Sequence, residues 1–177
     1  YLAALGIEVW LPRFEQAKLP TPQPVDGWAQ LNTEIEQCTQ CDLCQSRQQV
    51  VLGAGNQQAE VLWVTEAPNL EAEQQALPFV DKTAALFDEI LRALQLTRAS
   101  VFITHTTKCR PPEDRDPKSA ELLACRDFLA REIALVQPKV IIALGRVAAQ
   151  NLLQSKTKIT ELRAANYTYT GIPLFVT

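Results

Sequence analysis

The 177-residue chain has no run of about eighteen apolar residues and no charged segment leading into an apolar one at its start, so neither a membrane span nor a secretory leader is expected. A soluble, cytoplasmic protein with no membrane partner follows as the expectation. Disulfides are not expected among its five cysteines, because a chain without signs of export sits among reducing thiols. No internal repeat is present, so the chain is not a solenoid array. Lys and Arg are scarce early on: residues 1–91 carry 4 against 13 Asp and Glu, and residues 92–177 carry 13 against 7. The net charge of −3 thus conceals a basic C-terminal half that can offer a phosphate-facing surface, although a solvated face of mixed charge would look the same.

What is present suits one domain. At about 100 to 200 residues per domain the length allows a single sizeable core, and 47% of the residues are hydrophobic. The chain starts at Tyr1 rather than Met and ends at Thr177 just after an apolar run, which reads as a fragment clipped at both ends. Residues 14–29 include Pro20, Pro22 and Pro24, an alternation that favours an extended spacer and forbids a helix. Residues 1–13 form a separate short segment before it, and residues 30–177 the globular domain.

Within that domain, apolar runs of strand length alternate with amphipathic segments. Residues 61–65, 101–104, 140–143 and 173–177 read as buried strands. Helices are expected over 83–94, with Leu86, Ile90, Leu91 and Leu94 on its apolar face, and over 117–136, with Leu122, Leu129, Ile133 and Val136 inward. Asp116 and Pro117 look like the cap and first residue of the second, and Gly145 opens a shorter helix through Leu153. Such alternation implies a three-layer α/β/α sandwich with a central, mostly parallel sheet and ligands at the strand C-termini.

Cys38, Cys41, Cys44, Cys109 and Cys125 carry the first chemical signal. Cys38-x-x-Cys41 can present two thiolates on one turn, and Cys109 with Cys125 could complete a set of four, suited either to zinc or to a [4Fe-4S] cluster. Spacing does not decide between them. Cys44 extends the run to C-x2-C-x2-C and leaves a second ligand assignment open.

The ensemble Cys38-Thr-Gln-Cys41, Arg47-Gln-Gln-Val-Val-Leu-Gly-Ala-Gly55, Thr65-Glu-Ala-Pro-Asn69, Leu77-Pro-Phe-Val80, Ile103-Thr-His-Thr-Thr-Lys-Cys-Arg-Pro-Pro112 and Cys125 resembles the iron-sulfur uracil-DNA glycosylases of family 4. The resemblance covers about residues 37–177. It implies a uracil-DNA-glycosylase-like fold, DNA as partner and hydrolysis of the N-glycosidic bond of uracil, as a monomer in base-excision repair. By the same resemblance Cys38, Cys41, Cys109 and Cys125 hold a structural [4Fe-4S] cluster and Cys44 is spare. Glu66 would activate water; Ala67, Pro68, Phe79 and His105 would line the base, with Phe79 stacking on it.

Several positions depart from the family pattern. Asn69 replaces a glycine that lets backbone approach the ligand, Ala72 stands at a usual acidic position, and Asp81 follows Pro-Phe-Val where glycine is usual. His105, the single histidine, replaces an asparagine whose amide offers donor and acceptor side by side. Neutral imidazole carries one of each on opposite edges, so it cannot make that paired contact. These substitutions predict an eroded pocket with weak or no activity. The family's final His-Pro motif would begin just after Thr177. Lys108, Arg110, Arg115 and Lys118, with Arg146 beyond, would face DNA, diluted by Glu113, Asp114 and Asp116.

The segment Leu5-Gly-Ile-Glu-Val-Trp10-Leu-Pro-Arg13 resembles the N-terminal segment of the psi subunit of bacterial DNA polymerase III, which docks on the clamp loader. Leu2, Leu5, Ile7 and Trp10 would be its anchors, and clamp-loader subunits the partner, in an alternative role as a non-catalytic replication adaptor.

Overall fold

The computed structural model describes residues 27–80 and 82–177. Asp81, most of the proline-rich spacer and the docking anchors Leu2, Leu5, Ile7 and Trp10 lie outside the described residues. Six strands form one sheet: β1 (Ala54–Gly55), β2 (Val61–Thr65), β3 (Val101–His105), β4 (Val140–Ala143), β5 (Tyr167–Tyr169) and β6 (Ile172–Val176). Their order is β1-β3-β2-β4-β6-β5. The four middle strands run parallel and correspond to the four expected apolar runs. Both edges are antiparallel additions that sequence periodicity did not signal. They are too short to show a period: β1 has two residues and β5 three. β1 nevertheless needs its glycine, since Gly55 sits at φ +114° and a Cβ there would stand 2.1 Å from the Val101 carbonyl oxygen.

Seven helices accompany the sheet among the described residues: α1 (Trp28–Glu36), α2 (Leu43–Ser46), α3 (Leu70–Gln75), α4 (Lys82–Ala93), α5 (Ser119–Val136), α6 (Arg146–Leu153) and α7 (Ile159–Leu162). Side-chain alternation along the strands assigns each face its own core. Leu62, Val64, Phe102, Ile141, Ala143 and Leu174 pack with Leu129 and Ile133 of α5, Ala148 and Leu152 of α6, and Leu162 of α7. Trp63, Val101 and Ile103 point the other way, onto Phe87 and Leu91 of α4. The expected three-layer α/β/α arrangement is thereby present. α1 opens at Trp28, at the end of the stretch assigned to the spacer, and packs on α5 through Leu31, Ile35 and Phe128.

Two helix expectations need correction. α5 begins at Ser119, two residues past Pro117, because Glu121 reaches back to accept the Lys118 backbone N–H at 2.6 Å and makes Lys118 the cap. The buried stripe of α4 is Phe87 and Leu91; Leu86, Ile90 and Leu94 are 65%, 38% and 53% exposed. The displacement follows from Phe87, whose ring meets Trp63 edge-on at 5.2 Å and so turns the helix by one position.

Candidate functional site

The loops that leave β2 and β3 at their C-terminal ends are bonded together. Thr106 donates its backbone N–H to the Thr65 and Glu66 carbonyls at 3.0 and 2.8 Å and its hydroxyl to the Glu66 carbonyl at 2.7 Å. Glu66 is thereby fixed at the mouth of the sheet. Its Oε1 accepts the Val147 backbone N–H at 2.9 Å, at the first turn of α6, where orphan amides favour a carboxylate. Room for this exists because residue 145 is glycine: it sits at φ +88°, and a Cβ on it would stand 2.6 Å from Glu66 Oε1. One carboxylate oxygen is thus engaged in holding the side chain.

The chain then passes through Ala67 and buried Pro68 to Asn69. Asn69, in place of glycine, has a local role in the fold. Its backbone is extended, at φ −93°, and its Oδ1 accepts the Ala72 N–H at 2.9 Å to cap α3. Glu73, next to Ala72, is the buried acid of this helix and accepts the Gln48 N–H at 3.0 Å.

Phe79 follows at φ +50°. A bulky side chain in this left-handed region costs on the order of 1 to 3 kcal/mol and is retained only where packing demands it. Here the demand is a parallel stack on Phe87, centroids 4.4 Å apart and planes within 5°. Phe79 therefore lies over the α4 face of the sheet while remaining partly exposed.

His105 ends β3, beside Thr65 in the parallel register. Strand alternation puts it on the same face as Val101 and Ile103, the face that Phe79 covers. It is 5% exposed, and neither Nδ1 nor Nε2 has a hydrogen-bond partner among the described residues. Burial first, then the Lys108 charge, lower its pKa to about 3, so the imidazole is neutral at physiological pH. On this face Trp63 Nε1 is also buried without a partner. Buried polar atoms are normally paired, so among the described residues these unmet groups mark a place on the α4 face where a further partner could bond.

Lys108 does not face outward as expected. It is 1% exposed, and Nζ donates to Thr104 Oγ1 at 2.5 Å, Glu132 Oε2 at 2.6 Å and the His105 carbonyl at 3.0 Å. Glu132, on α5, is 1% exposed and also accepts the Thr104 hydroxyl at 2.7 Å. The ammonium is internal because a buried acid requires a partner. The signal available in sequence was an acid on the apolar stripe of α5, between Leu129 and Ile133. Arg115 and Arg110 lie nearer the surface but are occupied: Arg115 makes two bonds to Glu121, at 2.6 and 2.8 Å, and Arg110 bonds Asp114 at 2.6 Å. Arg146 pairs with Asp116, and Lys118 is exposed.

The cysteines gather on the far side of the β3–α5 loop. Cys109 and Cys125 are buried, Cys38, Cys41 and Cys44 half-buried. Burial raises the Cys41 thiol, with neighbouring Cys38 and Cys44 adding to the effect; it raises Cys109, beside Cys41 and Cys38, and pushes Cys125 up to about 11, beside Cys109 and Cys41. These influences link Cys38, Cys41, Cys109 and Cys125, and Cys44 as well, through Cys41. No three Cys, His, Asp or Glu side chains among the described residues close on a point that a single metal ion could occupy. Arg47, quoted within a motif but assigned no role from sequence, donates Nη1 to Cys109 Sγ at 3.2 Å. Thiols this buried give up their protons only when a metal replaces them, and the Arg47 cation on Cys109 Sγ works in that direction, lowering the pKa that burial raises.

Residues 52–177 match the family model of the uracil DNA glycosylase superfamily. Curated relatives described as type-4 uracil-DNA glycosylases include one from Archaeoglobus fulgidus, 42% identical over 66% of this chain and 59% of its own length. One from Thermotoga maritima is 35% identical over 82% of this chain and 78% of its own, and one from Sulfurisphaera tokodaii 34% identical over 82% and 68%. The chain thus spans somewhat under two thirds of the length of the Archaeoglobus relative. Among the described residues no helix is long and apolar enough to cross a membrane.

Proposed function

The chain belongs to the uracil DNA glycosylase superfamily, and from that premise we propose that it works in DNA repair as a uracil-DNA glycosylase with an altered, slow base site. The observation that carries this is His105: a buried, neutral imidazole with no partner among the described residues, at a strand C-terminus, on the sheet face covered by Phe79. An extruded uracil would stack on Phe79 and take one hydrogen bond from the imidazole N–H to a carbonyl oxygen. Glu66, held by Val147 through one oxygen, keeps the other to orient water. Hydrolysis breaks the bond between C1′ and the base nitrogen: the electron pair leaves with the base, the water oxygen bonds C1′, and the proton that water sheds ends on the released base.

One bond from His105 replaces the paired contact that an amide would make. The base edge left unmet costs about 1 to 3 kcal/mol, which slows the reaction about tenfold or more. DNA would approach the side carrying Arg110, Arg115, Lys118 and Arg146, three of which already hold carboxylates, so binding should be weak and its salt dependence shallow.

The same family reading supports a [4Fe-4S] cluster on Cys38, Cys41, Cys109 and Cys125, with Cys44 spare. When bound it supplies iron–thiolate links that tie the segment before α2 to the β3–α5 loop. Zinc, the alternative, asks for all four thiolates on one ion. Clamp-loader docking by residues 1–13 rests on four large apolar groups in a segment too short to fold alone; loss of clamp-loader capture in Trp10→Ala, with the domain's melting unchanged, is the expected outcome.

The deciding measurement is uracil release from single- and double-stranded oligonucleotides by the full chain. Slow release is expected, faster in His105→Asn and abolished in Phe79→Ala and Glu66→Gln. A wild-type rate that His105→Asn leaves unchanged or lowers would overturn the assignment of His105 as the weak point.

A further inference from the structure

Arg47 spans two segments that sequence holds far apart. Nη1 bonds Cys109 Sγ at 3.2 Å, and Nη2 bonds the carbonyl of Glu36 at 2.8 Å, at the C-terminal end of α1 and two residues before Cys38. The planar guanidinium is suited to this: its donors form a rigid fork and its charge is permanent. A lysine could reach one acceptor as a point charge but not hold both in one plane.

We propose that Arg47 is a positioning and potential-setting residue for the iron-sulfur group, clamping the Cys38 side of the site to Cys109 and favouring the group's reduced, more negative state. This rests on the cluster assignment above. The physical ground is that hydrogen bonds to ligand sulfurs and nearby charge are among the levers that set cluster potentials. A donated bond draws electron density from the thiolate, and a fixed cation stabilises the added electron; both raise the potential. Partial exposure of Arg47 and Cys38 also makes the clamp a shield, since an opening between Cys38 and Cys109 would admit solvent and oxygen to the sulfurs.

The test uses the full chain purified without oxygen, read by iron content, by spectroelectrochemical midpoint potential and by the lifetime of the visible absorbance in air. Arg47→Gln removes the charge, Arg47→Lys keeps charge but loses the fork, and Arg131→Gln removes another tie of α1 to the body, the Arg131–Glu34 ion pair, without touching a cysteine. Arg47→Gln should shift the midpoint to more negative potential and bleach several-fold faster; Arg47→Lys should bleach faster with a midpoint nearer wild type. Arg131→Gln should lower the melting temperature and leave the midpoint alone. If Arg47→Gln accumulates no cluster, Arg47→Lys decides: a shortened lifetime supports the clamp, and wild-type lifetime and midpoint overturn it. A coloured Arg47→Gln protein with wild-type midpoint and lifetime overturns the inference while the cluster stands. Colourless wild-type protein lacking iron overturns the cluster assignment, and the inference with it.

Discussion

Thr104 and His105 are neighbours on one strand, both buried from water, and their surroundings are opposites. Thr104 faces α5, where its hydroxyl, the Lys108 ammonium and the Glu132 carboxylate satisfy one another. His105 faces α4, where neither ring nitrogen has a partner among the described residues. A closed network of buried charge ties strand to helix, whereas an open polar group in the same stratum weakens the fold and is retained where something else supplies the partner. The contrast teaches where the molecule spends polarity on its own integrity and where it holds polarity in reserve.

The sharpest way to break the contrast is to open the closed side. Lys108→Met leaves Glu132 buried without its cation and should destabilise the domain by about 3 to 5 kcal/mol, seen as a lowered denaturation midpoint. Adding Glu132→Leu should return most of that loss. If Lys108→Met alone is neutral, the network is not closed as described.

Acid probes the open side. The folded-state pKa of His105, about 3, lies below its ordinary 6.5, so the unfolded chain binds the proton first as pH falls. Stability carried by the neutral ring is full above about pH 6.5 and declines by up to about 1.4 kcal/mol per pH unit toward pH 3. Denaturant titrations across that window should show a slope that His105→Phe removes. At neutral pH the same variant, which replaces an unmet polar ring by an apolar one of similar shape, should gain about 1 to 3 kcal/mol while base binding falls. A loss of stability in His105→Phe would mean that the ring has partners in the fold.

The smallest effect concerns the loop between the two faces. Asn69→Ala removes the α3 cap and should cost about 1 kcal/mol, with little change in uracil release. A large gain in release would support the idea that Asn69 obstructs the base.

Much of this frame was legible beforehand. The four parallel strands showed themselves because a strand buried on both faces must be a continuous apolar run, as residues 61–65 and 140–143 are. The cysteine pair at 38 and 41 and the phenylalanine between Pro78 and Val80 were visible as local patterns. β1 and β5 were not, being shorter than any period. Lys108 was misplaced because it sits between Cys109 and polar threonines in a basic stretch, and nothing within a turn of it says that it is internal.

The sequence alone therefore determined the four long parallel strands and the existence of the helices now numbered α4, α5 and α6, the cysteine spacing, and the family pattern they fit. Tertiary structure decided the fate of each charge. Lys108 is a core cation because Glu132 arrives 24 residues later, Arg47 grips sulfur because Cys109 comes 62 residues later, and Glu66 is held because α6 brings Val147 from 81 residues away. Burying a charge is unfavourable until its partner is beside it, and only the folded chain determines which groups become neighbours.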